Sequence, residues 1–121
     1  MAQKSVRKLV KEYLTYLKDK GYTIQRAYLF GSYAKGNFHQ DSDIDIALVI
    51  KNLKNSFLMQ GDLMFIGSKF DTRIEPHPFN EKDFTNDNPV VAQILKTGIN
   101  RTFALAVIAS PDFLGTKQSQ Y

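Results

Sequence analysis

Apolar residues in the first twenty positions recur with a helical period. Val6, Leu9, Val10, Tyr13, Leu14 and Leu17 fall on one face, with lysines and arginines around them. The pattern predicts a helix over 4–20, with Ser5 as its N-cap and Gly21 as its stop. Residues 25–30 (QRAYLF) predict a short strand that ends abruptly at Gly31. Over 43–50 (DIDIALVI) the period changes to two: Ile44, Ile46, Leu48 and Ile50 alternate with Asp43, Asp45, Ala47 and Val49, as in a strand. A polar connection, 51–56, leads into a predicted helix over 57–67, weakened by Gly61 in its interior. Residues 69–75 predict a third strand, with Phe70, Thr72 and Ile74 on one face and Asp71, Arg73 and Glu75 on the other. Pro76 and Pro78 are expected to stop regular pairing there. A polar loop over 80–89, with a turn of helix around Glu81–Phe84, precedes a short helix over 90–97 that Gly98 closes. Residues 102–109 are apolar without clean periodicity, and Pro111 separates them from a polar tail. A last core strand, a docking segment for a partner and a non-native extension all stay open for them. The order of elements predicts an α/β (α+β) domain.

Length and composition narrow the classes. The 121 residues suit one domain, spanning 1–121 with 101–121 as a tail of unassigned role. With 43% hydrophobic and 23% charged residues, the chain has the make-up of an ordered globular protein. The absence of cysteine excludes disulfides, cysteine-ligated zinc and thiol chemistry. Two histidines cannot build a multi-histidine metal site without carboxylates. No apolar run approaches the ~20 residues of a membrane span, and the N-terminus, MAQKSVRKLV, lacks the apolar core of a secretory signal. A cytoplasmic setting is the expectation. The net charge is +4 (16 basic, 12 acidic), and it is concentrated: seven basic residues (Lys4, Arg7, Lys8, Lys11, Lys18, Lys20 and Arg26) face only Glu12 and Asp19 within 1–26. Such a face is a solvated helix surface or a contact for nucleic acid, nucleotide or an acidic partner.

The chemistry is concentrated between residues 29 and 45. Gly31–Ser32 follows a strand and opens a predicted short helix. Glycine there lets backbone approach a bound group, and free N–H groups with the Ser32 hydroxyl suit phosphate oxygens. Lys35 adds a nearby positive charge. Asp43 and Asp45, two apart on a strand, point to the same side with Cα atoms ~7 Å apart. Their oxygens can converge on hard divalent cations, and without a cation or proton such neighbours repel. Strands are poor in Asp, so a plain solvent-facing edge explains the pair less comfortably. A third carboxylate would complete a two-metal phosphoryl-transfer site. Glu75 is preferred because it precedes Pro76, where pairing is expected to end, and Asp71 is the backup; an ion pair with Arg73 is the alternative for either.

Together these segments, G-S-x-A-x-G and then D-S-D-I-D, resemble the signature of the DNA polymerase β-like nucleotidyltransferases. Within that superfamily the short chain is similar to the minimal nucleotidyltransferase (MNT) group. The resemblance covers 25–50 closely, and 69–98 more loosely through R-I-E-P-H-P-F and I-L-K-T-G-I. It implies a small mixed β-sheet with helices packed against it. It implies that Gly31 and Ser32 hold the triphosphate of an NTP, ATP above others, and that Asp43, Asp45 and a third carboxylate, assigned to Glu75, hold two Mg²⁺ ions. The reaction would move a nucleoside monophosphate to an acceptor hydroxyl. Family members of this size often work with a HEPN-domain protein, and in the best-understood pairs the MNT protein neutralises a HEPN toxin by attaching AMP to it. Aminoglycoside-type small-molecule transfer and a non-catalytic antitoxin acting by contact are the competing readings. A homo-oligomer or hetero-oligomer is compatible with the apolar C-terminal segment.

Four further groups carry smaller expectations. His77 and His39 are read as structural and as an exposed loop residue, respectively. Arg73 either neutralises the carboxylates or binds phosphate. Tyr28, Phe30, Phe65 and Phe70 are read as core residues rather than a base-stacking platform.

Overall fold

The computed structural model describes residues 5–106. Its elements are α1 (Val6–Asp19), β1 (Ile24–Phe30), α2 (Ser32–Lys35), β2 (Ile44–Ile50), α3 (Ser56–Ser68), β3 (Ile74–Asn80), a 3-10 turn (Glu81–Asp83), α4 (Pro89–Thr97), β4 (Ile99–Asn100) and α5 (Phe103–Ala106). The four strands form one mixed sheet in the order β3-β2-β1-β4. β1 is antiparallel to β2 and β4, whereas β2 and β3 run parallel. A parallel pair cannot be joined by a hairpin, and α3 provides the crossover.

Helix α1 forms as its periodicity demands. The Ser5 side chain accepts from the Lys8 N–H, and Leu9, Val10, Tyr13, Leu14 and Leu17 are buried. They pack with Leu63 of α3 and with Leu29, Ile46 and Leu48 from one face of the sheet. The Tyr13 hydroxyl donates to the Leu63 carbonyl at 2.7 Å within this core, and burial pushes its pKa well above the ordinary tyrosine value. The opposite face carries a smaller cluster of Tyr28, Ala47, Val49, Phe84, Val91 and Ile94, covered by α4. β2 is therefore buried on both faces beyond Asp45, although its first residues alternate.

The third strand differs from expectation. It begins at Ile74 and runs through both prolines to Asn80, in register with β2 from Ile44↔Ile74 to Ile50↔Asn80. β3 is the edge of the sheet. Pro76 and Pro78 are two apart, so both missing N–H groups fall on the open side, where a strand tolerates proline. The Pro76 carbonyl indeed turns away from β2 and accepts from the Gln60 amide at 3.0 Å. Residues 71–73 are a turn instead of strand, so Asp71 does not share a strand face with Glu75.

Three further differences concern apolar segments. Ile99–Asn100 pairs with β1, an addition that Gly98 had masked as a simple helix stop. The described part of the 102–109 stretch is the short helix α5, not a strand; Ala104 and Leu105 are buried in the main core. Residues 107–121, which include the end of the 102–109 stretch and the polar tail, lie outside the described residues. Phe65 is 65% exposed, not core, whereas Tyr28 is buried and Phe70 packs edge-on against Tyr13 and Tyr16. Among the described residues no helix is long and apolar enough to cross a membrane.

Candidate active site

One end of the sheet collects the polar residues that the sequence singled out. β1 ends at Phe30, which lies opposite Asp45 on antiparallel β2, and parallel β3 sets Glu75 beside the same Asp45. Residues paired across strands share a face, so Phe30, Asp45 and Glu75 point together to the side of the sheet that α4 covers. His77, two residues beyond Glu75, joins them. Its Nε2 lies 3.0 Å from Asp45 Oδ1; a carboxylate can only accept, so Nε2 carries the proton in this contact. One ligand atom from each of Asp45, Glu75 and His77 falls within 4.8 Å of the others. Asp43 stands exposed just before β2, and its charge is one of the influences that raise the Glu75 pKa.

The electrostatics match that crowding. Burial pushes the Glu75 carboxyl above the ordinary carboxylate range; His77 opposes the shift, and Asp45 and Asp43 reinforce it. Carboxylates crowded in this way repel one another, and a cation between them would relieve that repulsion. The cluster's oxygen donors suit a hard divalent ion such as Mg²⁺. The group that the structure brings together differs from the expected Asp43, Asp45 and Glu75: His77 stands with Asp45 and Glu75, and Asp43 lies just before β2 outside that trio.

Gly31 brings backbone against this cluster. Its φ of 76° and ψ of −149° belong to a region nearly reserved for glycine, and a Cβ there would collide with the Asp45 carboxylate. In the turn that follows, Ala34 and Lys35 donate to the Gly31 carbonyl and Gly36 donates to that of Ser32. The N–H groups of Ser32 and Tyr33 take no part in these bonds. Lys35 is exposed at the end of α2.

Arg73 and Asp71 do something other than bind the cluster. Two Arg73 nitrogens bond both oxygens of Asp71, at 3.0 and 2.9 Å. Arg73 Nη1 also donates to the Tyr33 hydroxyl and to the Gln40 carbonyl, and its own carbonyl accepts from the Ile44 N–H at 2.8 Å. Arg73 thus ties α2, the loop before Asp43 and the entry to β3 into one frame. The hydrogen bonds from Arg73 hold the Asp71 carboxyl below the usual range. Asp71 is engaged there and is not in the group around Asp45. His39 is exposed, in a turn closed by Ser42.

His77 is the residue that reading the sequence undervalued. The signal was present: Glu75 and His77 have the same i, i+2 spacing as Asp43 and Asp45. Treating Pro76 as the end of the strand concealed it.

Comparison with known proteins places this geometry. Residues 11–100 match the family model described as polymerase beta, nucleotidyltransferase. A Methanocaldococcus jannaschii protein whose name assigns it as a protein adenylyltransferase is 38% identical over 48 residues, which span 40% of this chain and 46% of that protein. The chain thus matches about half the length of that relative. A crystal structure of a Sulfolobus solfataricus protein assigned as a nucleotidyltransferase superposes with a TM-score of 0.55 at 28% identity, covering 78% of this chain and 77% of that one. A toxin–antitoxin structure with AMP-PNP matches with a TM-score of 0.57 at 21% identity over 96% of this chain and 94% of the other. A mutant of the MntA–HpeT toxin–antitoxin gives 0.58 at 19%, with the same coverage. The last two likenesses establish shared fold.

Proposed function

Because the chain belongs to the polymerase beta nucleotidyltransferase family, we propose that it transfers AMP from ATP to an acceptor hydroxyl on a partner protein, as the antitoxin half of a HEPN/MNT pair in the cytoplasm. The observation that carries the reading is the meeting of Asp45, Glu75 and His77 at the strand end where Gly31 presses its backbone against Asp45, with Asp43 two residues ahead of Asp45 in the chain. The adenylyltransferase name of the Methanocaldococcus relative and the toxin–antitoxin neighbours support the finer choice of AMP and of a toxin as acceptor.

In this reading Asp43, Asp45 and Glu75 hold two Mg²⁺ ions. When bound, these neutralise charge on the triphosphate and lower the pKa of the acceptor hydroxyl. Gly31, Ser32 and Lys35 receive the β- and γ-phosphates through the N–H groups that the α2 turn does not use, the Ser32 hydroxyl and the Lys35 charge. His77 holds Asp45 in place. The acceptor oxygen bonds to the α-phosphorus as the bond between that phosphorus and the bridging oxygen breaks. Pyrophosphate leaves with the electron pair, and the hydroxyl proton passes to water. Most of the acceleration comes from positioning and fixed charge.

A contact-only antitoxin is the second reading, supported by Phe57, Leu58 and Phe65, which are 82%, 62% and 65% exposed on α3. Co-expression with a HEPN-domain toxin separates the two. An enzyme adds the mass of AMP to the toxin and loses both that mass and its protection in the Asp43→Asn/Asp45→Asn variant. Protection that survives in this variant, with no added mass, contradicts AMP transfer.

A further inference from the structure

Helix α3 carries an apolar stripe that its own chain leaves uncovered. Phe57, Leu58, Met64 and Phe65 are 82%, 62%, 41% and 65% exposed, and Gly61 lies exposed between them. We propose that this stripe is an interface between two copies of this chain, packed α3 against α3, antiparallel, across a two-fold axis at Gly61. The inference goes beyond the nucleotide-transfer reading and stands independently of it. It places in a homodimer the residues that the contact-only reading would use for a toxin.

Spacing is the first argument. Phe57 and Phe65 lie four residues before and after Gly61, and Leu58 and Met64 lie three before and after it. Such steps keep all five on one side of the helix. Reversing the helix about Gly61 therefore returns the same stripe: phenylalanine replaces phenylalanine, and Leu58 exchanges with Met64. A two-fold interface needs this self-complementarity, because both copies offer the same patch. Phe57 of one copy then meets Phe65 of the other at each end of the contact. A different partner imposes no such symmetry on the stripe. Lys69, whose ammonium lies 4.9 Å from the Phe65 ring centroid, and Asp62, the one charged residue within α3, give the stripe a polar rim.

Gly61 is the second. A glycine inside a helix costs ~1 kcal/mol relative to alanine. Packing within the chain does not call for it: a Cβ at Gly61 meets nothing within 4 Å, whereas one at Gly67 in the same helix would press on Ile74. A missing side chain at the middle of the stripe lets a second backbone approach closely there. Area is the third. At ~200 Å² for a whole large side chain, the exposed parts of Phe57, Leu58, Met64 and Phe65 offer ~500 Å² per copy. Two copies together reach the ~1,000 Å² that a specific interface must clear, so the dimer is a reversible one. α3 packs on the sheet face opposite α4, so this pairing leaves the open strand end of each copy uncovered.

Sedimentation velocity across the micromolar range tests this on wild type, Phe57→Asp and Gly61→Leu. Both substitutions are at exposed positions, and circular dichroism checks that the fold persists. Wild type should sediment at twice the chain mass when concentrated and dissociate on dilution. Phe57→Asp sets a carboxylate in the first turn of α3, which a helix accepts. It enters the interface twice and should weaken the dimer at least ~100-fold. Gly61→Leu separates a fitted interface from mere stickiness. It adds an apolar side chain to the stripe, so unspecific association would strengthen, whereas a close crossing at Gly61 is overpacked and should weaken at least ~10-fold. Wild type that keeps a single chain mass throughout overturns the proposal. So does a Phe57→Asp dimer as tight as that of wild type, or a Gly61→Leu dimer as tight or tighter. AMP transfer enters none of these readings, so their failure leaves the proposed function standing.

Discussion

The two faces of the sheet do different work. On the α1/α3 face, Leu14, Leu17, Ile46, Leu48 and Leu63 are fully buried and close a continuous apolar core. On the α4 face the apolar cluster is smaller and stops short of the strand ends. Where it stops, the Asp45 and His77 side chains remain 21% and 30% exposed. A sheet with both faces sealed would leave no opening at these strand ends. The closed face holds the strands in register, and that register brings Phe30, Asp45 and Glu75 together on the open one.

The largest expected effect is on the open face. Asp45→Asn removes a charge from the proposed cation site, so AMP transfer should fall at least ~1,000-fold, the several kcal/mol that a metal supplies to such a step. The urea midpoint should barely move. Transfer assays and urea melts on the same preparation check both halves. Leu14→Ala should do the converse: a loss of ~2–5 kcal/mol of stability in urea unfolding from the cavity it leaves, with ATP affinity of the folded fraction retained. Gly31→Ala should cross the divide. Its backbone strain costs ~1–3 kcal/mol, and the Cβ pushes on Asp45, so stability and ATP affinity should fall together.

Smaller effects sharpen the same division. The folded-state pKa of Asp71 is depressed by Arg73. The stability this contributes is therefore present above the unfolded-state pKa and lost as pH falls through the folded value. Asp71→Asn should flatten that acid limb in melts run from neutral pH downward. An unchanged limb would show that the Arg73 frame does not contribute to it. The smallest effect is a gain. Gly61 lies inside α3, and a Cβ there meets nothing within 4 Å. Gly61→Ala should add ~0.4–1 kcal/mol to stability without touching transfer.

What the sequence revealed follows from where period and composition are unambiguous. The α1 face and the β2 alternation were legible because one side of each is apolar and the other polar. The Asp43–Asp45 pair stood out because carboxylates are unusual in a strand. Glu75 was singled out by its place before Pro76, although the strand runs on through that proline. His77 was not, because a proline reads as a strand breaker unless the strand is known to be an edge, and only the sheet order shows that. The exposure of Phe65 was hidden for a different reason. α3 carries apolar residues on both sides, with Leu63 buried while Phe57, Leu58 and Met64 are exposed. Such a helix has no polar face to orient it. β4 is two residues long, too short for any period to register.

The central claim is that the open strand end binds a nucleotide through a cation held by Asp43, Asp45 and Glu75. Calorimetric titration of ATP into wild type and the Asp43→Asn/Asp45→Asn variant, with and without Mg²⁺, tests it directly. The account predicts binding by wild type that requires Mg²⁺ and is lost in the variant while its melting temperature holds. Equal binding by both proteins, or by wild type with and without the metal, would contradict it.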